Sequence, residues 1–127
     1  MGTPPQGVLS GVYVLVVDDN ADARDIFQAI LRYFGAFVIT ASSARDARNK
    51  LVQVRADVVL CDVQLGDADA MWLIGEVRSR RAGTRFIAVS GQDYDERDLR
   101  AAGFVAYLRK PVPHETLLAT VLAALKP

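Results

Sequence analysis

A single cysteine, Cys61, stands in the 127 residues. One thiol forms no internal disulfide and no multi-thiolate zinc site, and that usage fits a reducing cytoplasm. Charge of one sign is also missing: 15 basic residues balance 15 acidic ones. The chain therefore lacks the electrostatic footprint of a protein that grips nucleic acid or anionic membrane by bulk charge. No apolar stretch approaches the roughly 20 residues of a membrane span. Internal repeats and low-complexity tracts are absent. The first residues, Met1-Gly2-Thr3-Pro4-Pro5-Gln6-Gly7, have no basic segment followed by an apolar one, so they do not form a signal peptide. They read as the start of a flexible lead-in over residues 1–10, with one domain over 11–127.

What remains is an ordinary globular mixture, with 51% hydrophobic and 24% charged residues. Five short apolar runs recur: Val12 to Val17, Ala36 to Ala41, Asp57 to Asp62, Arg85 to Ser90 and Phe104 to Leu108. Most are continuous rather than alternating and rich in Val, Ile and Phe, the signature of strands buried on both faces. Between them lie stretches with one apolar stripe. Ile26, Phe27, Ile30, Leu31 and Phe34 mark the first, Ala44, Ala47 and Leu51 the second, and Met71, Ile74 and Val77 the third. Leu117, Leu118, Val121, Leu122 and Leu125 mark the last, while the fourth stretch, Asp93 to Ala102, is mostly polar around Leu99. Gly35, Gly83 and Gly103 stand where left-handed helix-terminating residues are expected. Strict alternation predicts a parallel sheet with right-handed crossovers and helices on both faces. The chain is too short for a closed eight-fold barrel. The expected fold is an open, flavodoxin-like (βα)₅ sheet of order 2-1-3-4-5, with its ligand site outside the carboxyl ends of the strands.

Asp18, Asp19 and Asn20 follow the first run; Asp62 ends the third, Ser90 the fourth, and Lys110-Pro111 follow the fifth. With strands one and three adjacent, the three aspartates crowd together. They repel unless a cation joins them, and oxygen-only ligands favour a hard ion such as Mg²⁺. Two charges on Mg²⁺ and one on Lys110 would balance three carboxylates, leaving a site able to accept a phosphoryl group. The bland readings stand beside this one. Asp18, Asp19, Asn20 and Asp22 are all capable of capping the following helix. Ser90 alone is a common turn residue, Cys61 a core thiol, and His114 a solvent-facing residue at a helix start. Trp72 is expected near the start of the third helix. The arginines Arg78, Arg80, Arg81 and Arg85 read as a solvated helix end.

Val14-Leu15-Val16-Val17-Asp18-Asp19-Asn20, Val59-Leu60-Cys61-Asp62-Val63, Ile87-Ala88-Val89-Ser90 and Tyr107-Leu108-Arg109-Lys110-Pro111 together resemble the receiver domain of two-component response regulators. The resemblance covers residues 10 to 125, and its strength lies in four fragments in order, each at a strand end. It implies that Asp62 is the phosphoacceptor, receiving a phosphoryl group from a histidine kinase or His-phosphotransfer protein. It implies Mg²⁺ held by Asp18, Asp19, Asp62 and the backbone carbonyl of Gln64. Lys110 would neutralise one phosphoryl oxygen and Ser90 hydrogen-bond another. Tyr107 would turn inward as the face of the fourth helix, fifth strand and fifth helix is remodelled. The Lys110–Pro111 bond is expected to be cis. Gly66, Ala70, Gly91 and Val112 depart from common family residues without removing a pocket group, and Gln64 and Gln92 border the site.

The domain is thus expected to be a switch rather than an enzyme, its chemistry limited to self-phosphorylation and autodephosphorylation. Its expected partners are the phosphodonor and a downstream protein or linked kinase modules, without direct DNA binding or membrane insertion. A phosphorylation-dependent dimer is compatible with it. Origin in a hybrid histidine kinase and a non-phosphorylated adaptor role are the alternatives. An aspartyl phosphatase would want a second acid two residues after a first-strand nucleophile, and position 20 is Asn. A nucleotide or flavin binder would want a glycine-rich first turn, which is absent.

Overall fold

The computed structural model describes residues 6–66, 68–80 and 83–127. Ten elements alternate along the chain: β1 (Tyr13–Val17), α1 (Ala21–Tyr33), β2 (Phe37–Ala41), α2 (Ala44–Gln53) and β3 (Val58–Asp62), then α3 (Ala70–Arg78), β4 (Arg85–Ser90), α4 (Glu96–Ala102), β5 (Phe104–Arg109) and α5 (His114–Ala124). The strands form one sheet in the order β2-β1-β3-β4-β5. All four pairings are parallel, as the expected fold requires. Strand order reverses between β1 and β3, so a crevice opens above their carboxyl ends.

Successive residues of a strand point to opposite faces, and here both faces are covered. Leu15, Val17, Val59 and Phe86 pack with Leu51 of α2, Leu73, Ile74 and Val77 of α3 and Leu99 of α4. Val14, Val16, Leu60 and Val89 pack on the other side with Phe27 and Leu31 of α1 and Leu117, Leu118 and Val121 of α5. Burial on both faces is why the strands read as continuous apolar runs. The helical stripes are narrower than the sequence suggests. Ile26 and Met71 are exposed, because the buried lines run through Phe27 and Leu31 and through Ile74 and Val77, and each exposed residue lies past the edge of its line.

Three further expectations are corrected. The lead-in was placed over residues 1–10, yet Leu9 is fully buried and its N–H donates to the Phe34 carbonyl at 2.8 Å. Leu9 fills the space beside Phe34 at the end of α1, so the packed domain reaches into that segment; residues 1–5 lie outside the described residues. Gly35 and Gly103 have the positive φ of helix-terminating glycines, at 99° and 120°, but Gly83 does not. The third helix ends at a Ser79 cap in right-handed helical conformation, so no left-handed turn is needed at Gly83. The fourth helix begins three residues later than the polar stretch suggested, because the Asp95 side chain accepts from the Arg97 N–H and caps it there. Among the described residues, no helix is long and apolar enough to cross a membrane.

Candidate functional site

Four strand ends converge above the reversal of strand order. Asp18 directly follows β1 and is 1% exposed, because its N–H stays in the sheet ladder, donating to the Ala41 carbonyl at 3.1 Å. Its carboxylate accepts from the Asn20 N–H at 2.9 Å and from Lys110 Nζ at 2.7 Å. Its carbonyl accepts from Arg24 Nη1 at 2.7 Å, tying the acidic turn to the first turn of α1. The cap of α1 is Asn20, whose side chain accepts from the Ala23 N–H. Asp18 and Asp19 are therefore not used for capping.

Asp62 is the last residue of β3. Just past it, the Val63 N–H donates to the Val89 carbonyl, which holds the strand end in register. One Asp62 oxygen accepts from the Gln64 N–H at 3.0 Å, the other from Lys110 Nζ at 3.4 Å. One carboxylate oxygen from each of Asp18, Asp19 and Asp62 lies within 4.8 Å of the others. Lys110 follows β5, and its N–H donates to the Ser90 carbonyl at 2.8 Å, so the backbone itself aims the lysine across the crevice. The Lys110–Pro111 peptide is cis. Ser90 closes β4, is 2% exposed, and its Oγ accepts from the Gln92 N–H at 3.0 Å.

Three carboxylates face one ammonium group, and the titration of the pocket reflects it. Burial pushes the Asp62 carboxyl above its ordinary value, with the charge of Asp18 adding to the shift. The Gln64 N–H and Lys110 oppose it without reversing it. Burial alone would lower Lys110, but the hydrogen bond to Asp18 and the charges of Asp18 and Asp62 raise it overall. Lys110 is therefore a fixed cation across the physiological range. Cys61, inside β3, is pushed up by burial and by the adjacent Asp62 and Asp18, which leaves a protonated core thiol.

The remaining predicted residues surround this centre. Tyr107 is half-buried; its hydroxyl donates to the Gln92 carbonyl at 2.6 Å and its ring meets Tyr94 edge-on at 6.5 Å. Gln64 Nε2 donates to Gln92 Oε1 at 3.2 Å, so the two glutamines join across the rim of the crevice. The sequence placed both beside the site but gave no sign of this bond. It also missed Arg24 and Tyr94. The only cue for Arg24 is its position in the first helical turn after Asp18, and Tyr94 lies in a polar loop with no periodicity. His114 is exposed and pairs with Glu115, and Trp72 stands near the start of α3 under the Arg45 guanidinium. Arg78 donates to the Gly103 carbonyl, Arg80 is exposed, and Arg81 lies outside the described residues.

An open doubly wound sheet with an acidic cluster and one lysine at its switch point is the architecture of CheY-like domains. Residues 14–122 match the response regulator receiver domain family, and the chain belongs to it: it is the receiver domain of a two-component response regulator. The chain is 36% identical to an uncharacterized 14.6 kDa protein of Leptolyngbya boryana over 108 residues, 82% of each chain. It is 32% identical to the transcriptional regulatory protein ZraR of Escherichia coli K12 over 114 residues, 88% of this chain but 26% of ZraR. The chain thus spans about a quarter of that relative. Among solved structures it resembles the chemotaxis protein CheY4 of Vibrio cholerae, with a TM-score of 0.83 and 30% identity over 90% of this chain and 98% of that one. A CheY-like receiver domain from Methanospirillum hungatei JF-1 gives 0.84 and 28% identity over 90% and 93%.

Proposed function

We propose that this domain is a phosphorylation-driven switch in which Asp62 accepts a phosphoryl group from the phosphohistidine of a histidine kinase or His-phosphotransfer protein. The observation that carries this reading is the convergence of Asp18, Asp19 and Asp62 with Lys110 Nζ spanning Asp18 and Asp62. An Asp62 oxygen attacks phosphorus in line, the P–N bond breaks, and its electron pair returns to the imidazole nitrogen, which takes up a proton. The product is an acyl phosphate, which water later cleaves to inorganic phosphate and the free carboxylate. Such a transfer needs positioning and charge neutralisation more than covalent help from its surroundings.

The chain's own groups supply both. The Gln64 N–H fixes one Asp62 oxygen and so presents the other. Lys110 lies within reach of the added oxygens. Ser90, already oriented by the Gln92 N–H, has a hydroxyl proton to offer one of them. Three oxygen donors carrying excess negative charge suit a hard divalent cation. Asp18, Asp19, Asp62 and the Gln64 carbonyl would hold Mg²⁺, which when bound neutralises the phosphoryl oxygens.

The output follows from Gln92. Its N–H engages Ser90 and its carbonyl accepts from Tyr107, so a displacement of Ser90 toward new phosphoryl oxygens is felt at Tyr107 and the α4–β5–α5 face. That face would then recruit a downstream partner in the cytoplasm. Incubation with Mg²⁺ and a small phosphodonor tests the reading. Wild type should gain the mass of one phosphoryl group, removable by hydroxylamine, and Asp62→Asn should gain none. Failure of wild type to take up phosphate or beryllofluoride would favour a non-phosphorylated adaptor.

A further inference from the structure

Zero net charge conceals a polarised molecule. Four of the five helices carry an acid in the first turn and four carry a base in the last, as the helix macrodipole favours. The strands are all parallel and every helix returns antiparallel to them, so these preferences add. Acidic residues gather at the carboxyl ends of the strands, and Arg32, Arg55, Arg80, Arg85, Arg100 and Lys126 gather at the opposite end.

At that basic end lies an apolar groove of about 410 Å³. It is lined by the stacked pair Tyr13 and Phe37, with ring centroids 5.0 Å apart and planes 15° from parallel. Tyr13 is 46% exposed, Phe37 59% and Val54, which also lines the groove, 40%. Ile39 extends the apolar surface, and Arg32 and Arg55 flank it. Among the described residues no acid lines the groove; nearby Asp57 is occupied in accepting the Tyr13 N–H at 2.9 Å. Strand addition at the adjacent edge of β2 is disfavoured, because two outward carbonyls already have donors: Val38 from Arg32 and Thr40 from Lys50. An occupant is therefore held chiefly by side chains.

We infer that this groove is a docking site for an acidic peptide segment of a partner protein, one that places an aromatic or aliphatic side chain on the Tyr13–Phe37 pair and carboxylates against Arg32 and Arg55. Concave shape favours a peptide over a flat bilayer. Two guanidinium groups beside an apolar lining favour carboxylates with an apolar anchor over a bare polyanion. The surface lies at the opposite end of the strands from Asp62, so the inference does not rest on the phosphoryl reading.

The test uses the whole chain and a dye-labelled, glutamate-rich peptide with one central tryptophan, followed by fluorescence polarisation. The same peptide with lysine for glutamate, vesicles containing phosphatidylserine and a short DNA duplex serve as comparators. Binding of the glutamate peptide should weaken about tenfold between about 50 and 300 mM salt. Arg55→Glu and Phe37→Ser, both at exposed positions, should each weaken it by about tenfold or more. Amide shifts in labelled protein should centre on Tyr13, Phe37 and Val54, with Asp62→Asn binding as wild type does. No binding of the glutamate peptide, equal binding by either variant, or tighter binding to vesicles or DNA would overturn the proposal.

Discussion

Replacing Asp62 by asparagine should stabilise the metal-free domain, although the residue is the phosphoacceptor of the proposed function. The change is nearly isosteric, and the amide oxygen keeps the bond from the Gln64 N–H. What disappears is one negative charge. At an effective dielectric of about 20, Lys110 Nζ at 3.4 Å attracts that charge by about 5 kcal/mol. Asp18, at up to 4.8 Å, repels it by about 3.5 kcal/mol, and exposed Asp19, through nearly bulk water, by about 1 kcal/mol. These contributions nearly cancel, so burial decides the sign, in keeping with a carboxyl pushed above its ordinary range chiefly by desolvation.

A native state that binds the Asp62 proton more readily than the unfolded chain is destabilised when the group ionises. The expected gain for Asp62→Asn at neutral pH is about 1 kcal/mol, a rise of about 0.7 M in the urea midpoint or about 4 °C in Tm. On acidification wild type should recover. The difference shrinks as pH falls through the raised native pKa and is gone below the ordinary 3.8. With Mg²⁺ at about ten times its Kd, wild type should gain about 1.4 kcal/mol and overtake the variant, which lacks one of the three carboxylates proposed to hold the ion. Urea unfolding at several pH values, with and without Mg²⁺, reads all three effects. An asparagine variant less stable than wild type without Mg²⁺, or a difference that does not change with pH, would refute the reasoning.

Leu9→Ala should cost about 2–5 kcal/mol in urea unfolding, since the side chain is fully buried; a residue in an unpacked lead-in would cost nearly nothing. Gly103→Ala should lose about 1–3 kcal/mol. Its φ is 120°, and an added Cβ would stand 3.0 Å from Arg78 Cζ, which can swing away, and 3.1 Å from Ile74 Cγ2, which is packed. Amide exchange should be faster in α4 than in α1, because α4 spans seven residues with only Leu99 buried whereas α1 spans thirteen anchored by Phe27 and Leu31. Protection in α4 equal to that in α1 would contradict this weaker anchoring of α4.

The fold was readable because its signals are local and repeated. Five continuous apolar runs alternate with helical stripes, and a parallel sheet with crossovers is the arrangement that buries both. The gathering of Asp18, Asp19, Asp62 and Lys110 was readable for a related reason: each ends a strand or stands within two residues of its end, so strand order alone brings them together. Contacts that depend on side-chain reach from loops left no periodic trace. Gln64 and Gln92 stand 28 residues apart, and nothing in either segment announces that their amides meet. Leu9 escaped because the short Val8-Leu9 pair among glycine, proline and serine carries no period, and only the space beside Phe34 shows why Leu9 is buried. The charge polarity was hidden differently. Every acid and base was visible, but summing them to zero discards position, and only parallel strands with antiparallel helices convert five small helix-end preferences into two oppositely charged ends of one molecule.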